Sequence, residues 1–326
     1  IYFNESIAYY TYLLGSTSTH TIVIKNDGTL YGCGRNNKGQ LGLGDYNDRT
    51  TLTPITIGIA GKTPVAVYCG WQYTLVLMSN GELYGCGENR FGQLGLGDYN
   101  DRTTLTQMIE IVGKKPVAVS CGIFHTLVLM SDGTLYGCGY NSYGQLGLGT
   151  SGSGTNQSTL TPITLGIADK TPVAVSGGWA HTLVLMSDGT LYGCGNNGYG
   201  QLGLGAGAVN VDQSTLTPFT LGIAGKTPVA VSCGEHTIVL MSDGTLYGCG
   251  NNSDGQLGLG AGAGTDSQPT LTEMNGIAGK TPVAVYCGMP HTLVLMSDGT
   301  LYGCGSNGYG QLGQGAGAGS QPTLTP

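Results

Sequence analysis

The pentapeptide Leu-Tyr-Gly-Cys-Gly occurs six times, beginning at Leu30, Leu83, Leu135, Leu191, Leu246 and Leu301, at spacings of 52 to 56 residues. A fixed period of this size specifies a repeat architecture, in which each unit buries its apolar surface against the next. Each copy carries its surroundings with it. The third reads His125-Thr-Leu-Val-Leu-Met-Ser-Asp-Gly-Thr-Leu-Tyr-Gly-Cys-Gly139, followed by Gly144-Gln-Leu-Gly-Leu-Gly149.

Within that copy, His125 to Met130 is apolar and rich in strand formers. Asp132-Gly133 is a preferred two-residue hairpin turn, and Thr134 to Gly139 returns antiparallel. This turn sets Leu127 opposite Cys138 and Leu129 opposite Tyr136. Pro116 to Val119 supplies a third strand and Thr104 to Ile109 a fourth. Both hairpin faces are largely apolar, as in a sheet covered on both sides. No segment has a helical period. The predicted fold is all-β: a six-bladed β-propeller of four-stranded antiparallel blades. It forms a single domain over 1–326, with repeat cores near 20–44, 73–97, 125–149, 181–205, 236–260 and 291–315. The last repeat stops at Thr323-Leu-Thr-Pro326, where the first continues into Ile55-Thr-Ile57. Ile1 to Asn4 slide onto that gap, and Tyr12 to Leu14 fall over Val65 to Val67. The terminal segments are therefore expected to share a blade and close the ring.

Glycine is abundant, with 60 residues in 326, but it recurs at fixed places between apolar runs and reads as turns and close-packing sites rather than disorder. The net charge is −7. All four arginines (Arg35, Arg49, Arg90, Arg102) lie in the first two repeats, and no basic stripe suits a phosphate backbone, so no nucleic-acid partner is expected. No apolar run is long enough to span a bilayer. The chain opens on Ile1 rather than methionine, as a trimmed piece of a longer chain would.

The stretch Gly122-x-x-His125-Thr, Ser131-Asp-Gly-Thr-Leu-Tyr136 and Gly139-x-Asn141-x-x-Gly144-Gln-Leu-Gly147 resembles the repeat of the regulator of chromosome condensation family. The resemblance covers essentially the whole chain. It implies a β-propeller; family members commonly have seven blades, and this chain supplies six repeats. Where the family usually has Trp before the second glycine, this chain has Cys33, Cys86, Cys138, Cys194, Cys249 and Cys304. The founding member is a guanine-nucleotide exchange factor that docks on nucleosomes. Other relatives are binding platforms, including a secreted β-lactamase inhibitor and modules of ubiquitin ligases. Such a family fixes architecture better than activity.

Catalysis needs an asymmetric set of acid, base and nucleophile. Here the polar residues recur by symmetry, so the chain reads as non-enzymatic, and no cofactor is implied. His20, His125, His181, His236 and His291 share one repeat position, with Tyr73 in the sixth. They read as buried imidazoles bonded to backbone rather than as a metal ring, since ligands must meet at about 2 Å from one ion. The ten cysteines lack zinc spacing and pair poorly between repeats, which favours free buried thiols in a reducing, intracellular compartment. A virion or extracellular home is the alternative. Gly225-Lys-Thr227 imitates a phosphate loop, but Thr220 stands where its first glycine belongs and Pro228 blocks the helix.

Variation between repeats concentrates on one edge of the hairpins, in the Cys-Gly-x-x-His loop and the long loop after Gly-Cys-Gly. These loops carry Trp71, Gln72, Arg90, Phe124, Tyr143, Trp179, Tyr199, Met289 and Tyr309. Phe91, Tyr140, Arg35 and Lys38 lie there too. Aromatic and Arg side chains varied over a rigid scaffold suit a protein-binding face. The opposite edge repeats Lys62, Lys170, Lys226 and Lys280 beside acidic turns that neutralise them. The sequence therefore predicts a non-enzymatic interaction or scaffold module for a protein partner. The alternatives are nucleotide exchange on a small GTPase, or a structural subunit of a larger complex such as a virion or surface fibre.

Overall fold

The computed structural model describes residues 11–12, 19–25, 27–109, 111–164, 170–219, 225–262, 264–277, 279–314 and 319–326. Its strands form six four-stranded antiparallel sheets, each in simple up-and-down order, which are the blades of a six-bladed β-propeller. The only helix among the described residues is one 3-10 turn at Ala206–Ala208. The chain divides into two compact units.

Unit 1 comprises residues 1–142 and 153–163. Its first sheet is β1 (Thr11–Tyr12), β2 (His20–Ile24), β3 (Leu30–Gly34) and β4 (Arg49–Ile55). The second is β5 (Pro64–Cys69), β6 (Tyr73–Met78), β7 (Leu83–Gly87) and β8 (Arg102–Gln107). The third is β9 (Pro116–Cys121), β10 (His125–Met130), β11 (Leu135–Gly139) and β12 (Gln157–Ile163). Unit 2 comprises residues 143–152 and 164–326. It holds β13 (Pro172–Gly177), β14 (His181–Met186), β15 (Leu191–Gly195) and β16 (Gln213–Pro218). Next come β17 (Pro228–Cys233), β18 (His236–Met241), β19 (Leu246–Gly250) and β20 (Gln268–Glu273). Last are β21 (Pro282–Cys287), β22 (His291–Met296), β23 (Leu301–Gly305) and β24 (Gln321–Thr325).

Three expectations are corrected. The central hairpin is shifted by one residue: Leu127 faces Gly137 and Leu129 faces Leu135. Met130 N–H donates to Thr134 O and Gly133 N–H to Met130 O, both at 2.9 Å, so the loop holds three residues, Ser131-Asp132-Gly133. Gly133 takes φ 82°, the left-handed position such a loop requires. The fourth strand is also reassigned. Residues 102–107 complete the second sheet, and Gln157–Ile163 completes the third. His20 and His236, expected to bond backbone, meet threonine hydroxyls instead. As for closure, residues 1–10 lie outside the described residues. Thr11 and Tyr12 pair with Ile24 and Val23, and the last sheet draws its four described strands from residues 282–325.

Both faces of the central hairpins are buried, as their composition requires: β10, β11, β14 and β15 are buried throughout. In unit 1, one core joins Ile22, Leu41, Ile55, Val67, Val76, Met78 and Leu105. In unit 2, Leu183, Leu202, Phe219, Val239 and Met241 pack together. Each fully buried leucine contributes about 1.5–3 kcal/mol of transfer free energy. The first glycine of Gly-Cys-Gly makes room for this packing. A Cβ on Gly193 would lie 2.9 Å from Leu183 Cδ2 and 3.0 Å from Leu202 Cδ2.

The Gly-Gln-Leu-Gly-Leu-Gly loop clasps the fourth strand of the next sheet. Gly44 N–H donates to Thr103 O and Gly97 N–H to Ser158 O in unit 1, both at 2.8 Å. Gly149 N–H donates to Ser214 O and Gly260 N–H to Pro322 O in unit 2, again at 2.8 Å. Inside the loop, Asn36, Asn89, Asn197, Asn252 and Asn307 accept the leucine N–H through Oδ1 at 2.9–3.0 Å.

That loop also explains the histidines. The carbonyls of Gln40 and Gln256 accept the hydroxyl protons of Thr74 and Thr292 at 2.8 and 2.7 Å. Each hydroxyl has then spent its one proton, so it must accept from the imidazole Nε2–H of the preceding sheet. His20 reaches Thr74 at 2.6 Å, and His236 reaches Thr292 at 2.7 Å. The partner is a threonine hydroxyl of the neighbouring sheet, not backbone. Sequence reading missed it because Thr74 and Thr292 lie 54 and 56 residues downstream of their histidines. The thiols of Cys86 and Cys304 point to the same glutamine carbonyls, at 3.5 and 3.4 Å. Each of these thiols thus lies within reach of an inter-sheet hydrogen bond. Cys33, Cys86, Cys121, Cys138, Cys194, Cys233, Cys249, Cys287 and Cys304 are free thiols.

Candidate functional site

The two variable loops leave adjacent strand ends in each sheet, and the rigid clasp beneath them fixes where their side chains emerge. In unit 1 they bring together residues from the second and third sheets. Phe124 meets Trp71 edge-on, with ring centroids 5.5 Å apart and planes at 68°. Phe91 lies 5.1 Å from Phe124 and 4.7 Å from Tyr140. Such aromatic pairs contribute about 0.5–1.5 kcal/mol beyond their area burial. All four rings are half-buried.

Arg90 crowns this cluster. Its guanidinium carbon sits 4.6 Å from the Phe91 centroid and 4.8 Å from that of Phe124. Its Nε lies 3.0 Å from Glu88 Oε1. Glu88 is buried, at 2% exposure, and Lys38 Nζ lies 3.8 Å from it and 3.3 Å from Asp101. Burial pushes the Glu88 carboxyl above its ordinary range, while Arg90 and Lys38 pull it back down. Glu88 was not singled out in the sequence. The available signal was the residue after Gly-Cys-Gly, where the six copies read Arg35, Glu88, Tyr140, Asn196, Asn251 and Ser306.

Of the residues singled out, the structure joins Trp71, Arg90 and Phe124 in this unit 1 cluster. Gln72 lies beneath it, 7% exposed, and its carbonyl accepts the Glu88 N–H at 2.8 Å. In unit 2, Tyr143 and Trp179 form a pair with centroids 5.8 Å apart. Tyr199 and Tyr309 are exposed, at 43% and 100%, and Met289 is half-buried. The opposite edge is neutralised, as its pattern implied. Lys114, Lys170 and Lys226 pair with Asp132, Asp188 and Asp243 at 2.9–3.1 Å, and Lys280 pairs with Asp298. Lys62 pairs with Glu82 at 2.6 Å. Among the described residues, no group of three His, Cys, Asp or Glu side chains is placed to hold a metal ion. No helix among them is long and apolar enough to cross a membrane.

Blade design and loop chemistry together define a propeller whose variable loops present side chains from a repeated frame. The RCC1-like domain model matches residues 17–326, and the chain belongs to that family. It is 37% identical over 245 residues to the ultraviolet-B receptor UVR8 of Arabidopsis thaliana, covering 74% of this chain and 53% of the receptor. It is 31% identical to the probable E3 ubiquitin-protein ligase HERC6 of Homo sapiens, over 85% of this chain and 26% of the ligase. The secretion-regulating guanine nucleotide exchange factor of Bos taurus is 28% identical over 91% of this chain and 66% of its own length. The chain thus spans about half of the plant receptor and about a quarter of the human ligase. Among solved structures, Prp20p of Saccharomyces cerevisiae superposes with a TM-score of 0.83 at 20% identity, covering 98% of this chain and 76% of that one. Human WBSCR16 gives a TM-score of 0.80 at 24% identity, covering 94% and 79%. These likenesses establish the fold.

Proposed function

We propose that this chain is a non-enzymatic protein-interaction module, and that its variable-loop face holds the partner. The observation that carries this reading is the unit 1 cluster of Trp71, Phe91, Phe124 and Tyr140 under an exposed Arg90. Aromatic and Arg side chains gathered at a half-buried site have the composition of binding hot spots. On the lysine-bearing edge, by contrast, Lys170 and Lys226 are already paired with Asp188 and Asp243. Capture of a partner identified by mass spectrometry tests the assignment. Trp71→Ala with Phe124→Ala should weaken capture about thirtyfold or more, at 2 kcal/mol or more for an anchor. Lys226→Ala with Lys280→Ala should leave it unchanged. If only the lysine pair matters, the chosen face is wrong.

A second reading is nucleotide exchange on a small GTPase, favoured by the match to the bovine exchange factor over most of this chain. Release of labelled nucleotide from loaded GTPases tests it directly. The free thiols support a reducing compartment for either role.

A further inference from the structure

Three of the four arginines of the first two long loops, Arg49, Arg90 and Arg102, differ in what they leave available. Arg49 and Arg102 are tied at both ends of the fork. Nη1 donates to the Asn47 or Asn100 carbonyl at 2.6 or 2.7 Å, and Nη2 to Asp45 or Asp98 at 2.6 or 2.5 Å. Arg90 is held differently. Its Nε meets Glu88, and two phenylalanine rings brace its plane. Its terminal amino groups donate to none of the described residues, and the side chain is 53% exposed.

A guanidinium held this way is preorganised. The rings pack against one side of it and restrict its rotamers, so less entropy is lost when the outer edge forms hydrogen bonds. That outer edge is a planar fork whose geometry matches a carboxylate bidentately. The Glu88 charge beneath is already engaged by Arg90 and Lys38. Trp71 and Phe124, half-buried beside the fork, form an apolar shelf within reach of the next residue of a bound chain.

We infer that Arg90 anchors a side-chain carboxylate of an acidic peptide segment, with a large apolar neighbour of that acid resting on Trp71 and Phe124. The inference rests on the interaction-module reading and supplies the chemistry of its partner.

Panning a random heptapeptide display library against the intact chain tests it, followed by fluorescence-anisotropy titration of synthetic winners. Enriched peptides should carry Asp or Glu next to Phe, Trp, Tyr or Leu. Changing that acid to its amide should weaken binding about thirtyfold, the loss typical of a hot-spot contact. The same change should make little difference against Arg90→Gln. Arg90→Lys, which keeps the charge but loses the fork, should recover only part of the affinity. Thermal unfolding of both variants verifies that the fold is intact. Absence of acidic enrichment, or of any enriched peptide, overturns the inference. So does an acid-to-amide penalty that persists in Arg90→Gln. Purely apolar winners lost in Trp71→Ala would sink the carboxylate and leave the loop-face reading standing. Winners indifferent to both Trp71→Ala and Arg90→Gln would sink both.

Discussion

Thr292→Val removes one oxygen from the inter-sheet chain His236–Thr292–Gln256 while nearly conserving volume. Thr292 and His236 are both 0% exposed, so water cannot replace the lost hydroxyl. His236 Nε2–H, now 2.7 Å from Oγ1, would face a methyl group. A buried donor left unsatisfied costs about 1–3 kcal/mol. Gln256 O loses a 2.7 Å bond but keeps the Cys304 thiol at 3.4 Å, so its share is small. The added methyl returns about 0.8 kcal/mol of transfer energy. The net expectation is a loss of about 1–2 kcal/mol by urea unfolding followed by circular dichroism. A double-mutant cycle isolates the cause. In a His236→Phe background there is no donor to strand, so Thr292→Val should be close to neutral, giving a coupling of about 1–2 kcal/mol. Strict additivity would refute the hydrogen-bond assignment and the tautomer deduced from it.

Acid should destabilise the protein through the same histidines. Burial lowers His20 and His125 to about 4 and His236 to about 3, against 6.5 for the exposed side chain. The unfolded chain therefore takes up protons first as pH falls. Stability should be full above about pH 6.5 and decline toward pH 4, at up to about 1.4 kcal/mol per pH unit per histidine; a flat profile from pH 6.5 to 4 would contradict their burial as neutral rings. Burial also raises the thiols of Cys138, Cys233 and Cys304 to about 12, so these should resist maleimide at pH 8 in the native protein. All ten cysteines should react in denaturant without reductant, and a count near zero would instead indicate oxidised pairs. Finally, Gly193→Ala should cost about 1–3 kcal/mol through overpacking against two leucine methyls. Gly195→Ala should cost more by calorimetry, because its φ is 98° and its Cβ would lie 2.4 Å from the Ala180 carbonyl oxygen; equal costs would refute the distinction.

Much of the architecture was legible because the repeat shows each structural device six times. The hairpin pattern, the blade number and the neutralised lysine edge followed from residue type and spacing. The one-residue register error arose because Asp132-Gly133 satisfies a two-residue turn locally. Only the Met130–Thr134 pairing reveals the three-residue loop. The histidine partner was illegible for a different reason: it lies a whole repeat away in sequence, and only packing of neighbouring sheets brings it near. At the candidate site, large aromatics marked Trp71 and Phe124, whereas Glu88 was hidden by its own chemistry. A charged residue in a surface loop ordinarily reads as solvated, yet Glu88 is folded under Arg90 and Lys38.

The loop clasp has a consequence for how the chain finds its own fold. Each clasp uses main-chain hydrogen bonds and the same Gln-Leu pair, and each receiving strand presents the same Thr-Leu-Thr segment. These main-chain contacts carry no address of their own, and side-chain pairs such as Lys38–Asp101 are additions particular to single junctions. The correct neighbour is chosen by tether length, since the next repeat is held within reach and closing a longer loop costs more entropy. When two unfolded chains meet at high concentration, that advantage shrinks and strands can be exchanged between molecules, a characteristic failure of repeat proteins. Slow refolding at high dilution should therefore give the cleanest monomer, with interlocked dimers growing in as concentration rises.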